Sequence, residues 1–366
     1  MKVTFVVHRI YPPYFGGDEV QIMETAKELV KNGVDVKIFS ADYTEGLHRT
    51  TFHEGVEINR FPSIRPYYVS SRLLNALCNV RTDILHSSTY GHFPTLVSAI
   101  CKSKNRKIRY VLQPHYHGVG RNVLNSIVMK IYNPLIGRWI FEKADKVRCL
   151  SNAEMDLVIN HFNIPPSKIV VIPFGLNVRK MGAFRNQCKK SHKGYRILYV
   201  GQLEKFKGVH LLIEAFARLL TFFPEDVTLR IVGAGSQKSA LEKLAVTLKI
   251  QEQVSFLGSL PNEAVIREYC EADLFVLLSE LESYSIATRE ALFFELPVIV
   301  LETKVFEDLL KGGYCFGVPS PVNLDVLAQK MQMCLTKDLR PRKFAVPTLS
   351  ETVKSLIGLY TEMLET

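Results

Sequence analysis

The sequence contains no long apolar run and few cysteines. None of its apolar runs approaches the roughly 20 residues that a membrane-spanning helix requires. Its first residues have too short an apolar stretch for a signal peptide, and no small-residue cleavage site follows. The cysteines are scattered without a Cys-x-x-Cys pair, at positions 78, 101, 149, 188, 270, 315 and 334. This pattern argues against a disulfide framework or a zinc site, so we expect a cytoplasmic protein with reduced thiols.

The charge is positive overall, +10, and it is unevenly spread. Residues 1–178 contain 22 Lys and Arg against 14 Asp and Glu, whereas residues 195–366 contain 18 against 22. A basic first half indicates an anionic partner, either a phospholipid surface, a lipid-phosphate acceptor or nucleic acid. Surplus lysines on solvated faces explain the same numbers. Nucleic acid ranks last, because the basic residues form no motif with interleaved aromatics.

Short β-branched runs alternate with segments of helical period, which predicts an α/β fold with parallel sheets. Strands are predicted at 3–7, 34–39, 84–86, 109–112, 147–150 and 169–172, and again at 196–200, 228–232, 254–256, 274–278 and 298–301. The basic, apolar-poor segment 179–194 is the predicted linker. We therefore expect two doubly wound, Rossmann-like domains, 1–178 and 195–345, followed by a helix in 346–366. Such domains, facing each other, would bind a ligand in their cleft.

Glycines follow two of the strands predicted in the second half. Gly201 and Gln202 come directly after the strand at 196–200, and Lys207 precedes the next helix. A helix N-terminus favours an anion, so a diphosphate fits there, although an ordinary turn with an exposed lysine fits equally well. The pair Gly233 and Gly235 follows the strand at 228–232. As a bare Gly-x-Gly it is more often a tight turn than a binding loop.

Two carboxylates follow the strand at 274–278. Glu282 lies at its carboxyl end, and Glu290 lies two helical turns further on, about 12 Å away at 1.5 Å per residue. At that distance they cannot share one proton, but they can bind two ends of an extended ligand, such as a sugar hydroxyl and a ribose diol. Acidic residues favoured by a helix N-terminus are the simpler explanation of the same pattern.

Together these motifs resemble the second domain of the retaining glycosyltransferases of family 4. The motifs are Gly201-x-Leu203 with Lys207-Gly208, Gly233-x-Gly235, and Glu282 followed after seven residues by Glu290, ahead of Leu-Pro-Val-Ile. The first half resembles that family's first domain at Tyr11-Pro-Pro with Gly16-Gly17, at Asp83-Ile-Leu-His86, at Pro114–Gly118 and at Ile172–Asn177. The resemblance runs in order along nearly the whole chain.

The resemblance implies the GT-B fold and transfer of a sugar from a nucleotide-sugar to an acceptor hydroxyl, with retention and without a metal cofactor. The acceptor can be lipid-linked, a glycan or a small molecule. By resemblance, the catalytic residues are His115, Glu282 and Lys207, with His117 as a rival on the same face of a strand. By the same resemblance, the donor-binding residues are Gly16, Gly17, Gly201, Gln202, Lys207, Gly233, Gly235, Glu282, Ser285 and Glu290.

The chain departs from the family pattern at five places. Gln202 stands where a phosphate-binding arginine is usual, with Lys205 and Arg289 as candidate replacements; the other departures are Phe174, Ser285, Glu295 and Thr303-Lys304. If Glu295 keeps the left-handed conformation of the usual glycine, it costs roughly 1 kcal/mol. These departures motivate an alternative, a catalytically silent scaffold or partner subunit. An epimerase of the same fold is a third hypothesis without local support.

The segment 120–146 mixes apolar residues, including Trp139, with Arg and Lys. Such a helix can lie on an anionic bilayer, so we consider peripheral membrane contact. A helix that packs its apolar stripe into the first domain explains the same residues.

Overall fold

A computed structural model describes residues 1–42, 48–118, 120, 129–188, 190, 192–337, 339 and 344–366. The chain forms two compact units. Unit 1 comprises Met1–Gly175 together with Pro347–Thr366, and unit 2 comprises Leu176–Val346. Each contains one central sheet, as the alternation of strands and helices predicts.

Unit 1 contains an eight-stranded sheet in the order β3-β4-β2-β1-β5-β6-β7-β8. Its strands are β1 Lys2–Val7, β2 Asp35–Ser40, β3 Thr50–His53, β4 Val56–Arg60, β5 Ile84–Ser88, β6 Arg109–Gln113, β7 Lys146–Cys149 and β8 Ile169–Val171. All pairs are parallel except β3 with β4. The helices are α1 Gly17–Lys31, α2 Ser71–Cys78, α3 Phe93–Lys104, α4 Arg138–Lys143 and α5 Asn152–Phe162.

Unit 2 contains a six-stranded parallel sheet in the order β11-β10-β9-β12-β13-β14. Its strands are β9 Tyr195–Val200, β10 Val227–Val232, β11 Val254–Gly258, β12 Leu274–Leu277, β13 Val298–Leu301 and β14 Phe316–Val318. The helices are α6 Val178–Arg185, α7 Val209–Phe222, α8 Lys238–Thr247, α9 Asn262–Glu271, α10 Ile286–Phe293, α11 Glu307–Lys311 and α12 Leu324–Thr336. β12 and β13 are buried along their whole length, which is typical of a parallel sheet covered on both faces.

The last helix, α13 Leu349–Glu365, packs in unit 1 and not in unit 2. Its N-terminus has a capping box formed by Thr348 and Glu351. The Tyr360 hydroxyl lies 2.6 Å from Nδ1 of His86 in the middle of the unit 1 sheet. The last helix therefore belongs to unit 1, although it follows unit 2 in the sequence. The segment predicted as a linker, 179–194, falls within unit 2, and its first half forms α6. Asn177 caps that helix, and Met181 is its buried residue.

The expectation that all cysteines are reduced is wrong for one pair. The structure joins Cys188 and Cys270 by a disulfide, with their Cα atoms 5.6 Å apart. The two residues are 82 positions apart in the chain, so their spacing carried no signal. They meet because α6 and α9 pack against each other in unit 2. The remaining five cysteines are free thiols.

Three strands were not predicted from the sequence. β3 and β4 form an antiparallel pair at the edge of unit 1, and β14 is a three-residue strand at the edge of unit 2. Edge strands are short and partly exposed, so they lack the continuous apolar run that marks a central strand. Within the described residues, no helix is long and apolar enough to cross a membrane.

The loops of unit 2 pack closely at Gly235, so replacement of this glycine tests the packing. A Cβ on Gly235 would lie closer than 3.0 Å to the backbone of Leu203, whereas one on Gly182 in α6 would meet no atom within 4 Å. We expect Gly235→Ala to lower the free energy of unfolding by about 1–3 kcal/mol through overpacking. Gly182→Ala, the matched control, should raise it by about 0.4–1 kcal/mol by restricting the unfolded chain. Urea denaturation followed by circular dichroism measures both, and equal effects would contradict the packing described.

Candidate active site

The carboxyl ends of β9 and β12 form the switch point of the unit 2 sheet. β9 pairs with β10 on one side and with β12 on the other, so the connections leave this point in opposite directions. Ligands of open α/β sheets bind at such a point. Lys207 follows β9 and Glu282 follows β12, and their side chains form an ion pair of 2.7 Å that is largely shielded from solvent. The structure therefore brings together two residues that are 75 positions apart.

Glycines allow the loops at this edge to pack on one another. Gly208, between Lys207 and α7, has a φ of +67°, and a Cβ there would collide with the backbone of Leu278 at the end of β12. Gly233 has a φ of +138° and packs against the backbone of Gly201. These are conformations and approaches that only glycine adopts readily. Consequently, the loops after β9, β10 and β12 form one continuous edge, to which Lys207 and Glu282 belong.

A carboxylate joins two of these loops. Glu204 accepts hydrogen bonds from the backbone N–H of Ser236 at 2.9 Å and from its hydroxyl at 2.6 Å. Gln202 is held by its backbone, whose carbonyl accepts a hydrogen bond of 2.8 Å from Tyr199. Of the two candidate replacements for the usual arginine, Lys205 is exposed, and Arg289 is buried with its guanidinium donating to the carbonyls of Tyr284 and Ser285. Arg289 therefore stabilises the start of α10.

Glu290 lies in the second turn of α10 and contacts the hydroxyl of Tyr269. Burial raises the pKa of Glu290 to about 7, and the hydrogen bond from Tyr269 opposes part of that rise. Glu282 is paired with Lys207, so the two carboxylates of the motif have different environments. One carboxylate is thus held by an ion pair, whereas burial favours the neutral form of the other.

Two of the departures from the family pattern occupy left-handed backbone. Ser285 has a φ of +59° at the start of α10, where its hydroxyl lies 2.8 Å from that of Thr288. Glu295 has a φ of +56° and forms an ion pair of 2.7 Å with Arg185. Glu295 therefore keeps the left-handed conformation on which its expected cost depends. Thr303 precedes a short 3-10 turn, Lys304–Phe306, and Glu307 begins α11, where it pairs with Lys311.

The carboxyl ends of β1, β5 and β6 form the corresponding edge of unit 1, because β1 lies between β2 and β5. Gly16 and Gly17 begin α1, and a Cβ on Gly16 would lie closer than 3.0 Å to the carboxylate of Glu19. Glu19 is buried and pairs with Arg9 at 2.9 Å. Gly16 thus makes room for the buried carboxylate of Glu19 at the helix start, and Gly17 is exposed.

His115 follows β6 and is buried at this edge. Its Nε2 lies 2.6 Å from the amide nitrogen of Gln113 and 3.0 Å from the Ser88 hydroxyl, and its Nδ1 lies 3.5 Å from a carboxylate oxygen of Asp18. The expectation that His117 shares a strand face with His115 is wrong. β6 ends at Gln113, and His115 has a φ of +51°, so the strand alternation stops before either histidine. His117 lies half-buried in the loop that follows.

Sequence reasoning missed the residues that surround His115. Arg148 in β7 is fully buried and donates to Gln113 at 2.7 Å. The Phe174 ring is near both Arg148 and His115, with its centre 5.1 Å from the guanidinium carbon and 5.9 Å from the imidazole centre. The available signal was an arginine inside an otherwise apolar strand, since charged residues are almost never fully buried without a partner.

Comparisons with known proteins cover both units. The family described as Glycosyltransferase Family 4 matches residues 15–180, and the one described as Glycosyl transferases group 1 matches residues 181–345. The N-acetyl-alpha-D-glucosaminyl L-malate synthase of Bacillus anthracis is 26% identical over 316 residues, which are 82% of this chain and 80% of that protein. The phosphatidylinositol N-acetylglucosaminyltransferase GPI3 subunit of Saccharomyces cerevisiae is 24% identical over 320 residues, 81% of this chain and 67% of that protein.

A solved structure agrees with the topology. HepE of Anabaena in complex with UDP-glucose superposes with a TM-score of 0.70 at 17% identity, covering 100% of this chain and 97% of that one. At that identity the likeness concerns the fold. The two family models match successive parts of the chain, and each part contains most of a doubly wound unit with polar residues at its switch point. These findings agree on the family. The chain belongs to the family 4 glycosyltransferases with the GT-B fold and is a nucleotide-sugar-dependent glycosyltransferase.

Proposed function

We propose that the protein transfers a sugar from its nucleotide-sugar donor with retention of configuration, and that Lys207 stabilises the departing diphosphate. The observation that carries this proposal is the Lys207–Glu282 ion pair at the unit 2 switch point. The ammonium group stands one residue before Gly208, which caps the 14-residue helix α7. A lysine charge and a helix N-terminus together favour a phosphate group.

Glu282 holds Lys207 in place before the donor arrives. A largely shielded ammonium group without a partner would be costly, and the carboxylate at 2.7 Å offsets that cost. When a diphosphate binds, its oxygens compete for the same ammonium group, and Glu282 becomes available to accept a hydrogen bond from a sugar hydroxyl. Binding of the donor thus exchanges one partner of Lys207 for another.

In the proposed reaction the acceptor hydroxyl attacks the face of the sugar from which the diphosphate leaves. The sugar passes through a positively charged, oxocarbenium-like state. A departing phosphate oxygen takes the proton of the attacking hydroxyl, so no side chain needs to act as a strong base. The lysine and the helix N-terminus supply fixed positive charge where negative charge develops. We propose that these groups suffice without a metal ion.

Replacement of Lys207 tests the donor site. We expect Lys207→Ala to weaken donor binding roughly tenfold to a hundredfold, because a charge-assisted contact to phosphate contributes about 1.5–3 kcal/mol. Lys243→Ala, at an exposed position of α8 in the same unit, is the matched control. Calorimetry with a panel of UDP-, GDP- and ADP-linked hexoses measures both variants.

An equal loss of donor affinity in the two lysine variants would contradict the assignment of the diphosphate to Lys207. If no donor of the panel binds to the unmodified protein, the proposed transfer fails. The rival hypothesis of a silent scaffold, which Gln202 in place of the usual arginine motivates, would then be favoured.

Glu290 makes donor binding depend on pH. We propose that its carboxylate accepts hydrogen bonds from the ribose hydroxyls, which requires the ionised form. Because its pKa is about 7, we expect donor affinity to rise between pH 6 and 8. Glu290→Gln should remove that rise, whereas Glu252→Gln, at an exposed position in the same unit, should preserve it. Affinities that change equally with pH in all three proteins would contradict the ribose assignment.

The raised pKa of Glu290 also affects the free energy of unfolding, which it makes fall, not rise, with increasing pH. The folded state holds the Glu290 proton more tightly than the unfolded chain, whose carboxyl titrates near its ordinary value of 4.5. As the pH rises from 4.5 to 7, the unfolded chain therefore releases this proton first, and the contribution of Glu290 to the free energy of unfolding falls. Donor binding by the ionised form offsets this loss above pH 7.

We propose that unit 1 contacts an anionic membrane and that the acceptor is lipid-linked. In the π-helical turn Asn133–Gly137 and the residues before it, Ile131 and Leu135 are 65% and 68% exposed. Ile136 is also exposed, and Lys130 and Arg138 flank the group. Residues 121–128 of the stretch predicted to contact a bilayer lie outside the described residues. The yeast relative named above is, by its name, a subunit of a phosphatidylinositol N-acetylglucosaminyltransferase, which supports a lipid acceptor.

Vesicle sedimentation tests the membrane proposal. We expect weak, salt-sensitive binding to vesicles of equal parts phosphatidylcholine and phosphatidylglycerol, and none to phosphatidylcholine alone. Ile131→Ser with Leu135→Ser should weaken binding about tenfold or more, since burial of each side chain contributes about 1.5–3 kcal/mol. The control pair Val246→Ser with Val326→Ser removes exposed apolar side chains of unit 2. Equal partition into neutral and anionic vesicles would exclude the proposed surface.

A further inference from the structure

The geometry of unit 1 points to a role for two residues that surround His115. We propose that Arg148 and Gln113 are positioning residues that keep His115 neutral with its proton on Nδ1. The Nδ1–H group is then the hydrogen-bond donor that unit 1 presents to a substrate hydroxyl. This inference rests on the proposed function, because it assigns the atom through which His115 acts in transfer.

Arg148 fixes the orientation of the Gln113 amide. Its guanidinium donates to the carbonyl of Ile172 at 2.9 Å, to that of Pro173 at 3.3 Å and to Oε1 of Gln113 at 2.7 Å. An arginine has donors only, so the group that faces it must be the amide oxygen of Gln113. The amide nitrogen consequently faces the other way, toward His115.

Gln113 in turn fixes the tautomer of His115. The amide nitrogen of Gln113 lies 2.6 Å from Nε2 of the imidazole, and an amide nitrogen donates but does not accept. Nε2 must therefore be the unprotonated nitrogen, and the ring proton resides on Nδ1. The Ser88 hydroxyl, 3.0 Å from Nε2, can rotate its proton and adds a second donor to the same lone-pair region.

The surroundings also exclude the doubly protonated ring. Burial and, to a smaller extent, the positive charge of Arg148 together lower the pKa of His115 to about 3. The Phe174 ring adds apolar surroundings, because its centre lies 5.9 Å from that of the imidazole and 5.1 Å from the guanidinium carbon of Arg148. Protonation of Nε2 would place its N–H against the N–H of Gln113, a repulsive contact.

Nδ1 faces the first turn of α1. It lies 3.5 Å from Oδ2 of Asp18, which is longer than an N–H···O hydrogen bond. Among the described residues, this nitrogen is a buried polar atom without a hydrogen-bond partner. A substrate hydroxyl that reaches both groups can accept from Nδ1–H and donate to the Asp18 carboxylate. This pair of groups selects an uncharged hydroxyl over an anionic oxygen.

The backbone holds the imidazole in this orientation. His115 has a φ of +51°, an uncommon conformation for a non-glycine residue. The next residue, Tyr116, donates its backbone N–H to Glu154 at 2.6 Å, and the same carboxylate accepts from the N–H of Leu150 at 2.7 Å. The loop that carries His115 is thereby tied to the start of α5.

Gln113→Glu tests the proposal with almost no change of volume. One carboxylate oxygen can still accept from Arg148, and the other now requires a proton on Nε2 of His115. In the ring 15N NMR spectrum we expect His115 to change from the Nδ1–H tautomer to a form protonated on Nε2. Its signals are identified by their loss in His115→Gln. We expect kcat/KM for transfer to fall roughly tenfold to a hundredfold, with donor affinity changed much less.

Two further variants serve as controls. Gln251→Glu makes the same substitution at an exposed position of unit 2 and should leave both the spectrum and the rate unchanged. Gln113→Met keeps the volume but has no amide, so it should give a mixture of tautomers and an intermediate rate. If Gln113→Glu does not fold, the tautomer in Gln113→Met decides the question.

The outcomes separate this inference from the proposed function. An unmodified protein with the Nε2–H tautomer, or a Gln113 variant that changes the tautomer without changing kcat/KM, would overturn the positioning role. If the unmodified protein shows the Nδ1–H tautomer but transfers no sugar from any donor, the tautomer assignment stands. In that case it is the proposed function that fails.

Discussion

Both candidate sites depend on one constraint, that parallel strands of a sheet end at the same edge. In unit 2, this constraint places the loops after β9 and β12 side by side, so that Lys207 meets Glu282 across 75 residues of sequence. In unit 1, it places the residues after β5 and β6 beside the start of α1. Without parallel pairing at each switch point, these side chains would lie at opposite ends of their strands.

The two sites differ in how their cation is bound, Lys207 in unit 2 and Arg148 in unit 1. The Lys207–Glu282 pair is largely but not completely shielded from solvent. In the proposed function, its ammonium group therefore exchanges the carboxylate for a phosphate oxygen. The guanidinium of Arg148 is enclosed and donates to two carbonyls and one amide. It is not available to a ligand, and its effect is on the pKa and the tautomer of His115. In the proposed function, Lys207 therefore contacts the leaving group directly, whereas Arg148 acts only through His115.

The central strands and the placement of Lys207 and Glu282 could be predicted, because continuous β-branched runs and strand-end motifs lie within short windows of sequence. The left-handed conformation at Glu295 could be predicted as well, from the glycine that is usual there. The Cys188–Cys270 disulfide could not, since only the packing of two helices brings its partners together. The Arg148–Gln113–His115 arrangement depends on which strands are neighbours, and single residues in β6 and β7 do not reveal that. His117 was misplaced because the strand alternation was extended past Gln113.

The return of the last helix to unit 1 has a consequence for how the protein is made. Unit 2 is inserted between Gly175 and Pro347, so a ribosome completes it before the residues that include Tyr360 have been synthesised. The unit 2 sheet can fold as soon as its own strands emerge, whereas His86 in the first sheet must wait for its hydroxyl partner. Folding order during translation should therefore be inverted relative to chain order, with the second unit finished first.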